Sequence, residues 1–208
     1  MIENIKPMDI EKRSFAIITE LLGERKLDPE NELVIKRAIH TSADFDYAEN
    51  LVFSPGAVKA GIAALRAGCD IVTDTQMARA GINKTILATL GGEVHCFMAD
   101  EDVAQEAKAR GVTRALVSME KAAKLTKPCI FAIGNAPTAL LSLQSLMDAG
   151  KLSPPLIIGV PVGFVNVVES KELIIDKASA PYIVARGRKG GSNIAAAICN
   201  AMLYQIRR

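Results

Sequence analysis

The sequence predicts an α/β protein: a single domain with a mostly parallel sheet and helices on both faces. Three observations lead to this fold class. Short apolar runs alternate with amphipathic segments along the whole chain, as in repeated strand–helix units. The runs are apolar throughout, as expected of parallel strands that are buried on both faces. A length of 208 residues, half of them hydrophobic, suits one domain over residues 1–208 with a sizeable core.

The elements follow from hydrophobic spacing and from helix start and stop signals. Apolar residues three and four positions apart predict helices over 9–26, 28–40, 54–68, 79–92, 100–111, 114–125, 136–150, 166–175 and 194–208. Compact apolar runs predict strands over 50–53, 69–75, 93–100, 128–135, 155–163 and 182–186.

Two of the helices carry a capping residue followed by proline. Asp28 precedes Pro29, and Ser54 precedes Pro55, so each pair predicts a helix that begins at the proline. Gly68 predicts the end of the second of these helices.

Right-handed crossovers between parallel strands place the carboxyl ends of the strands on one edge of the sheet, where ligands bind in open α/β folds. The segments that follow the predicted strands there are rich in hydroxyls, amides, glycines and cations. They are Thr73–Thr75, Gly134–Thr138, Pro161–Gly163 and Arg186–Asn193. Four such segments at one edge predict a polar pocket lined with hydrogen-bond donors.

The last of these segments, "RGRKGGSN", is the most informative. Arg186 and two further cations precede Gly190, Gly191 and a helix start, an arrangement that suits an anion because backbone N–H groups and arginine both bind anions. A solvated basic loop with glycines for turning is the alternative. No G-x-x-x-x-G-K-[ST] or G-x-G-x-x-G pattern accompanies it, so the sequence gives little support to a nucleotide site.

The chain has two histidines with different surroundings. His40 points away from the apolar stripe of its predicted helix and lies at the helix end, where the helix dipole and the nearby Asp44 and Asp46 favour a cation. This position suits a general acid near neutral pH, with a plain surface histidine as the alternative. His95 lies within the apolar run "EVHCFM", and we expect a structural role for it.

Composition excludes several other classes of function. A net charge of +2 gives no support to nucleic-acid or membrane-surface binding. The amino terminus shows no signal pattern and no apolar run reaches the length of a membrane span, so we expect a soluble cytoplasmic protein.

The four cysteines are far apart, which predicts reduced, buried thiols. No metal-ligand spacing and no nucleophile motif is present, so we expect no metal and no covalent step.

Five segments together resemble one family. They are "RAIHTSADFDY", "DIVTDTQMARAGI", "FAIGNAPTAL", "GVPVGFVNVVESK" and "ARGRKGGSNIAAAICNAM". In this order they are similar to the precorrin-8X methylmutase (precorrin isomerase) family, which includes the cobalt-precorrin-8 methylmutases. The resemblance extends from "RSF" to the last helix.

The resemblance implies an isomerase of cobalamin biosynthesis that moves a methyl group between adjacent ring carbons and yields hydrogenobyrinate or cobyrinate. It implies a homodimer, with the tetrapyrrole and its several carboxylates bound at the subunit boundary and no external cofactor. By the same resemblance His40 is the general acid. The substrate-binding residues that it implies, by matched motif, are Ser14, Thr73, Thr75, Arg114, Asn135, Gly190 and Gly191. Arg186 joins them as a predicted substrate-binding residue because it belongs to the cationic segment that suits an anion.

Two other functions stay open from the sequence. A corrinoid or tetrapyrrole carrier without catalysis would use the same pocket. A phosphate-binding enzyme or regulator would use "GRKGGSN" alone. The sequence also leaves open whether the natural substrate contains cobalt.

Overall fold

The computed structural model describes residues 6–207, apart from the side chain of Met8. Residues 1–5 and Arg208, which contribute to the expectations about the amino terminus, the domain limits and the last helix, lie outside the described residues. The helices are α1 Pro7–Leu22, α2 Glu32–Ser42, α3 Tyr47–Asn50, α4 Ala57–Arg66, α5 Gln76–Gly81, α6 Lys84–Thr89, α7 Glu101–Arg110, α8 Arg114–Ala122, α9 Pro137–Asp148, α10 Val167–Lys177 and α11 Ser192–Ile206. The strands are β1 Leu51–Phe53, β2 Asp70–Thr73, β3 Val94–His95, β4 Cys129–Ile133, β5 Ile157–Gly159 and β6 Tyr182–Ala185.

The six strands form one sheet in the order β1-β6-β5-β4-β2-β3. All neighbours are parallel except β1 and β6, where Leu51 pairs with Ala185. The predicted single-domain α/β fold with a mostly parallel sheet is therefore confirmed. Strand β1 begins beside the last residue of β6, where the chain arrives from α2 and α3. It therefore runs in the opposite direction to β6.

Both faces of the sheet are buried, and successive strand residues point to opposite faces. One face carries α1, α2, α4, α5, α6 and α11 over strand residues such as Ile71, Ile130 and Ile183. The other carries α8, α9 and α10 over Val72, Phe131 and Val184. Apolar side chains on both faces explain why the strands read as continuous apolar runs.

The two predicted proline starts are wrong in detail. The carboxylate of Asp28 accepts the N–H of Glu30 at 2.9 Å, which closes a turn, so α2 begins later than predicted. The hydroxyl of Ser54 accepts the N–H of Tyr182 at 2.9 Å and so serves the sheet instead of capping a helix. Helix α4 then begins only after Gly56, whose φ is 71°.

Two further expectations are corrected in the segment 79–100. The single predicted helix is two short ones, α5 and α6, since the side chain of Asn83 accepts the N–H of Ile86 at 3.1 Å and starts a new helix. The backbone N–H of Asn83 is held by Asn200 at 2.8 Å. The predicted strand over 93–100 is reduced to Val94–His95.

All four cysteines are free thiols and are buried, as expected. Within residues 6–207, no helix combines the length and the apolar character that crossing a bilayer requires.

Candidate functional site

The carboxyl ends of β2, β4, β5 and β6 lie along one edge of the sheet, which we call the carboxyl edge. Glycines let the loops there approach one another closely. A Cβ on Gly190 would lie 2.1 Å from the carbonyl oxygen of Val160, and one on Gly134 would lie 2.7 Å from the Cα of Ser192. The N–H of Gly191 donates to the same Val160 oxygen at 2.9 Å. The predicted residues Gly190 and Gly191 therefore hold their loop against the end of β5.

Asp74 organises the loop between β4 and α9, a role that sequence reasoning missed. Its buried carboxylate accepts three consecutive backbone N–H groups, from Gly134 at 2.8 Å, Asn135 at 2.8 Å and Ala136 at 2.6 Å. Burial raises the pKa of Asp74, and the three N–H donors oppose that rise. The available signal was a lone acid directly after a buried apolar strand.

The two threonines beside Asp74 have different surroundings. Thr73 is fully buried, and its hydroxyl faces the carbonyl oxygens of Thr75 and His95 at 3.1 and 3.2 Å. Thr75 is half-buried, caps α5 by accepting the N–H of Ala78 at 3.0 Å, and shares a 2.7 Å hydrogen bond with the hydroxyl of Ser192. Thr75 therefore contacts the first residue of α11, whereas the placement of Thr73 favours a role in holding Thr75.

Residues 186–191, which we call the cationic loop, contain three cations with different partners. Arg186 forms an ion pair with Glu172 of α10 at 3.1 Å. Lys189 contacts Asp44 at 2.7 Å and Asp46 at 2.6 Å. Within the described part of the chain, the side chain of Arg188 has no such partner, and the residue is exposed. Arg186, which the sequence predicted to bind substrate, is thus paired within the chain. Arg188 is the arginine of the loop that is available to a ligand.

Lys171 lies in α10, on the face of the sheet opposite to α2, and holds the backbone of the cationic loop. Its side chain is fully buried, and its Nζ donates to the carbonyl oxygens of Gly187 and Lys189, each at 2.8 Å. Burial lowers the pKa of Lys171 to about 8, although nearby Glu172 opposes the change. Sequence reasoning missed this residue because a lysine in an amphipathic helix normally faces solvent.

His40 lies in the last turn of α2 and is exposed. Its ring centroid is 5.6 Å from that of Phe15 in α1. The helix ends at Ala43 in the left-handed conformation, with a φ of 55°, and the chain then turns toward the cationic loop. Asp44, predicted to favour a charged His40, bonds to Lys189, and this hydrogen bond lowers the pKa of the Asp44 carboxyl. The two acids thereby join the end of α2 to the cationic loop.

A groove of about 570 Å³ lies between α1, α2 and α11, and one of its lining residues, Phe15, also contacts His40. It is lined by Glu11, Lys12, Phe15, Leu33, Arg37, Ala201, Tyr204 and Gln205. The guanidinium of Arg37 forms an ion pair with Glu11 and lies 4.9 Å from the ring centroid of Phe15. Sequence reasoning missed Arg37, although it lies three residues before His40 and therefore on the same side of α2.

Ser14 precedes Phe15 in α1, is half-buried, and donates its hydroxyl to the carbonyl of Ile10 at 2.9 Å. The side chain of Asn135 is exposed at the carboxyl edge. Arg114 is exposed at the first position of α8, and the preceding Thr113 bonds to Thr138 of α9 at 3.0 Å. Arg114 therefore lies near the start of α9, on the sheet face that carries α8, α9 and α10, whereas α2 with His40 packs on the opposite face.

His95 has the structural surroundings that its sequence position predicts. Its Nε2 lies 3.0 Å from a carboxylate oxygen of Asp70, and its ring stacks on Phe97 at 5.7 Å. Lys127 bonds to the other carboxylate oxygen of Asp70 at 3.1 Å. The cluster lies where β2 and β4 begin, opposite the carboxyl edge. No group of three or more His, Cys, Asp or Glu residues within 6–207 is arranged to hold a metal ion.

Comparisons with known proteins all lead to one family. The family model described as CbiC, precorrin-8X methylmutase, matches residues 9–205. The cobalt-precorrin-8 methylmutase of Priestia megaterium is 46% identical over 198 residues, which are 95% of this chain and 88% of that protein. The precorrin-8X methylmutase of Pseudomonas aeruginosa is 40% identical and covers 93% of each chain. The crystal structure of the precorrin-8X methylmutase of Thermus thermophilus has a TM-score of 0.87 and 38% identity, covering 95% of each chain.

Proposed function

The chain belongs to the precorrin-8X methylmutase family, and on this premise we propose that His40 is the general acid of its methyl migration. The protein is an isomerase, an intramolecular transferase of cobalamin biosynthesis. The reaction moves a methyl group between adjacent ring carbons of precorrin-8X or cobalt-precorrin-8. It only rearranges bonds, so it needs a proton donor held against the macrocycle rather than a nucleophile.

The observation that carries the proposal is the position of His40. Its exposed imidazole lies against Phe15 at the end of α2, and Asp44 and Asp46 connect that helix end to the cationic loop through Lys189. An imidazole in this position can donate a proton or a hydrogen bond to a ring nitrogen of a macrocycle bound over the carboxyl edge. A donor that is fixed in place before the reaction stabilises charge that develops during it.

The carboxyl edge suits a flat polyacid. We assign the hydroxyls of Ser14 and Thr75, the amide of Asn135 and the cation of Arg114 to the carboxylates of the substrate. Beside them Phe164 and Val165 are 82% and 78% exposed, which provides an apolar wall for the ring. Gly190 and Gly191 let the backbone of the cationic loop come close to the ligand.

We further propose that the active protein is a homodimer with a site shared between subunits. His40 lies on α2 and Arg114 on α8, helices that pack on opposite faces of the sheet, and in a shared site the second chain would supply one of the two residues. Helix α1 also exposes an apolar stripe of Ile10, Ile17 and Leu21. Light scattering should give twice the 22.2 kDa of one chain. At substrate concentrations well below the KM of the Arg114→Ala protein, hybrid dimers of one His40→Ala and one Arg114→Ala chain should turn over faster than either variant homodimer; a monomer, or hybrids that are no faster, would contradict the shared site.

The compartment we propose is a reducing cytoplasm. The support for it is that all four cysteines are free and buried and that none is paired.

The direct test of His40 replaces each histidine by glutamine in a separate variant. His40→Gln should fold and bind hydrogenobyrinate, yet lose about 10²- to 10⁴-fold in turnover, the usual contribution of a general acid. The matched control His95→Gln should lose stability but keep its turnover while folded, because His95 bonds to Asp70 at the other edge. The change of the absorption spectrum of precorrin-8X or cobalt-precorrin-8 measures turnover.

Turnover by His40→Gln equal to that of the wild-type protein would remove the general-acid role. A wild-type protein that binds the substrate without any change of chromophore would behave as a carrier and would contradict the proposed activity itself.

A further inference from the structure

Two of the three cations of the cationic loop form ion pairs with acidic residues of the same chain. Arg186 is paired with Glu172, and Lys189 is paired with Asp44 and Asp46. Arg188 is the loop cation for which residues 6–207 provide no side-chain partner, and it is exposed. An unpaired guanidinium offers two parallel N–H donors to a carboxylate.

The backbone around Arg188 is held more firmly than an exposed loop requires. Lys171 Nζ donates to the carbonyl oxygens of Gly187 and Lys189, the residues on either side of Arg188, each at 2.8 Å. The carbonyl oxygen of Arg188 itself accepts the N–H of Gly163 at 3.2 Å. Three consecutive carbonyls of the loop are therefore fixed, while the side chain between them is left free.

Holding the loop in this way costs stability. Lys171 is fully buried, and its Nζ contacts two carbonyls but no carboxylate, since nearby Glu172 pairs with Arg186. Removing an ammonium group from water without an opposite charge is unfavourable, and an apolar side chain of similar length would pack at lower cost. The lowered pKa of Lys171 reflects this burial. A costly group that supports one exposed cation suggests a function beyond the fold.

We propose that Lys171 is a positioning residue that fixes the backbone of Gly187–Lys189 so that Arg188 stays unpaired and anchors a carboxylate of the macrocycle. This rests on the proposed function, because a polyacid substrate provides the carboxylate. Lys171 acts through Arg188 and does not touch the substrate itself. Its buried positive charge adds to the attraction that Arg188 exerts on the anion.

The test measures the binding of hydrogenobyrinate by calorimetry, together with kcat and KM. Arg188→Ala and Lys171→Met should each raise the dissociation constant about tenfold, the usual loss for one charge-assisted hydrogen bond. Both should raise KM with little change in kcat, because an anchor at the rim binds substrate and transition state alike. His40→Gln should instead lower kcat.

Two control variants match these changes. Ser170→Ala alters another buried polar residue of α10, whose hydroxyl bonds within the helix to Val167 at 3.0 Å, and should leave KM unchanged. Arg66→Ala removes an exposed arginine at the end of α4, away from the carboxyl edge, and should leave binding unchanged.

A double-mutant cycle separates positioning from a purely structural role. If Lys171 acts through Arg188, the double variant should bind hydrogenobyrinate no more than about twofold more weakly than either single variant. Effects that multiply would show that Lys171 does not act through Arg188. Should Lys171→Met not fold, Lys171→Gln, which keeps a donor without the charge, takes its place; failure of both would show that Lys171 serves only the fold.

The outcomes also separate this inference from the proposed function. A wild-type protein that does not bind hydrogenobyrinate would contradict both. Wild-type binding with an unchanged dissociation constant in Arg188→Ala would overturn the inference alone.

Discussion

The two edges of the sheet each carry a histidine among charged residues, but they use them differently. At the edge where β2 and β4 begin, His95 and Lys127 both bond to the carboxylate of Asp70, at 3.0 and 3.1 Å. At the carboxyl edge, His40 is exposed against Phe15, and Arg188 has no side-chain partner among the described residues.

Under the proposed function, the two edges have different roles. A charged cluster whose members satisfy one another stabilises the fold and leaves nothing for a ligand. A cluster that leaves an imidazole and a guanidinium open, while burying an ammonium group beneath the cationic loop, loses stability and keeps groups for a substrate.

The tight backbone contacts of the carboxyl edge are tested by Gly190→Ala. A side chain there would collide with the backbone of Val160, since a Cβ would lie 2.1 Å from its carbonyl oxygen. We expect the free energy of unfolding to fall by more than about 3 kcal/mol, the upper range for overpacking. Gly187→Ala is the matched control: its φ is 74° with open space around it, and the cost should be about 1 to 2 kcal/mol. Equal losses by urea unfolding would show that the close approach does not matter.

The buried lysine predicts a pH dependence of stability. The pKa of Lys171 falls from 10.5 to about 8 on folding, so the unfolded chain binds more protons between these values. Protonation therefore opposes folding in this range, and the contribution of Lys171 to stability rises as the pH increases. The stability of the wild-type protein relative to Lys171→Met should grow by up to about 3 kcal/mol between pH 8 and 10.5.

The cysteines and Tyr47 titrate in both proteins. Taking the difference in stability between the two proteins at each pH therefore removes their contribution. Burial raises the pKa of Cys69 and of Tyr47, each to about 12. A difference that does not vary with pH would mean that Lys171 stays solvated in the folded protein.

Asp70→Asn tests the closed cluster at the other edge. Burial raises the pKa of Asp70, but hydrogen bonds from His95, the N–H of Glu93 and Lys127 outweigh it, and the net pKa is lowered. Its stabilising effect is therefore present above pH 3.8 and is lost as the pH falls through the lower folded value. At neutral pH the variant should lose about 2 kcal/mol, as for a charged hydrogen-bonding group.

Asp70→Asn should keep its turnover while folded, which separates it from variants of the carboxyl edge. A variant as stable as the wild-type protein, or one that is folded but inactive, would contradict the division between the two edges.

The sequence predicted the layered architecture, because buried parallel strands appear as apolar runs. That the carboxyl edge carries the site stays a prediction. The sequence also predicted that His40 lies off the apolar stripe of α2. It did not predict which charges pair. Arg186 and Arg188 are two residues apart, and only the fold places Glu172 next to the former.

Helix starts were the weakest local prediction. Asp28 and Ser54 resemble caps in the sequence, yet the first closes a turn and the second bonds to Tyr182, far away in the chain. Lys171 was missed for a similar reason, since its partners are backbone carbonyls, which carry no sequence signal.

A crystal structure with hydrogenobyrinate bound tests the central contrast most directly. The macrocycle should lie over the carboxyl edge, with an imidazole nitrogen of His40 about 3 Å from the ring system and Arg188 on a carboxylate. A macrocycle bound instead beside Asp70 and His95, or one that leaves His40 facing water, would contradict the account.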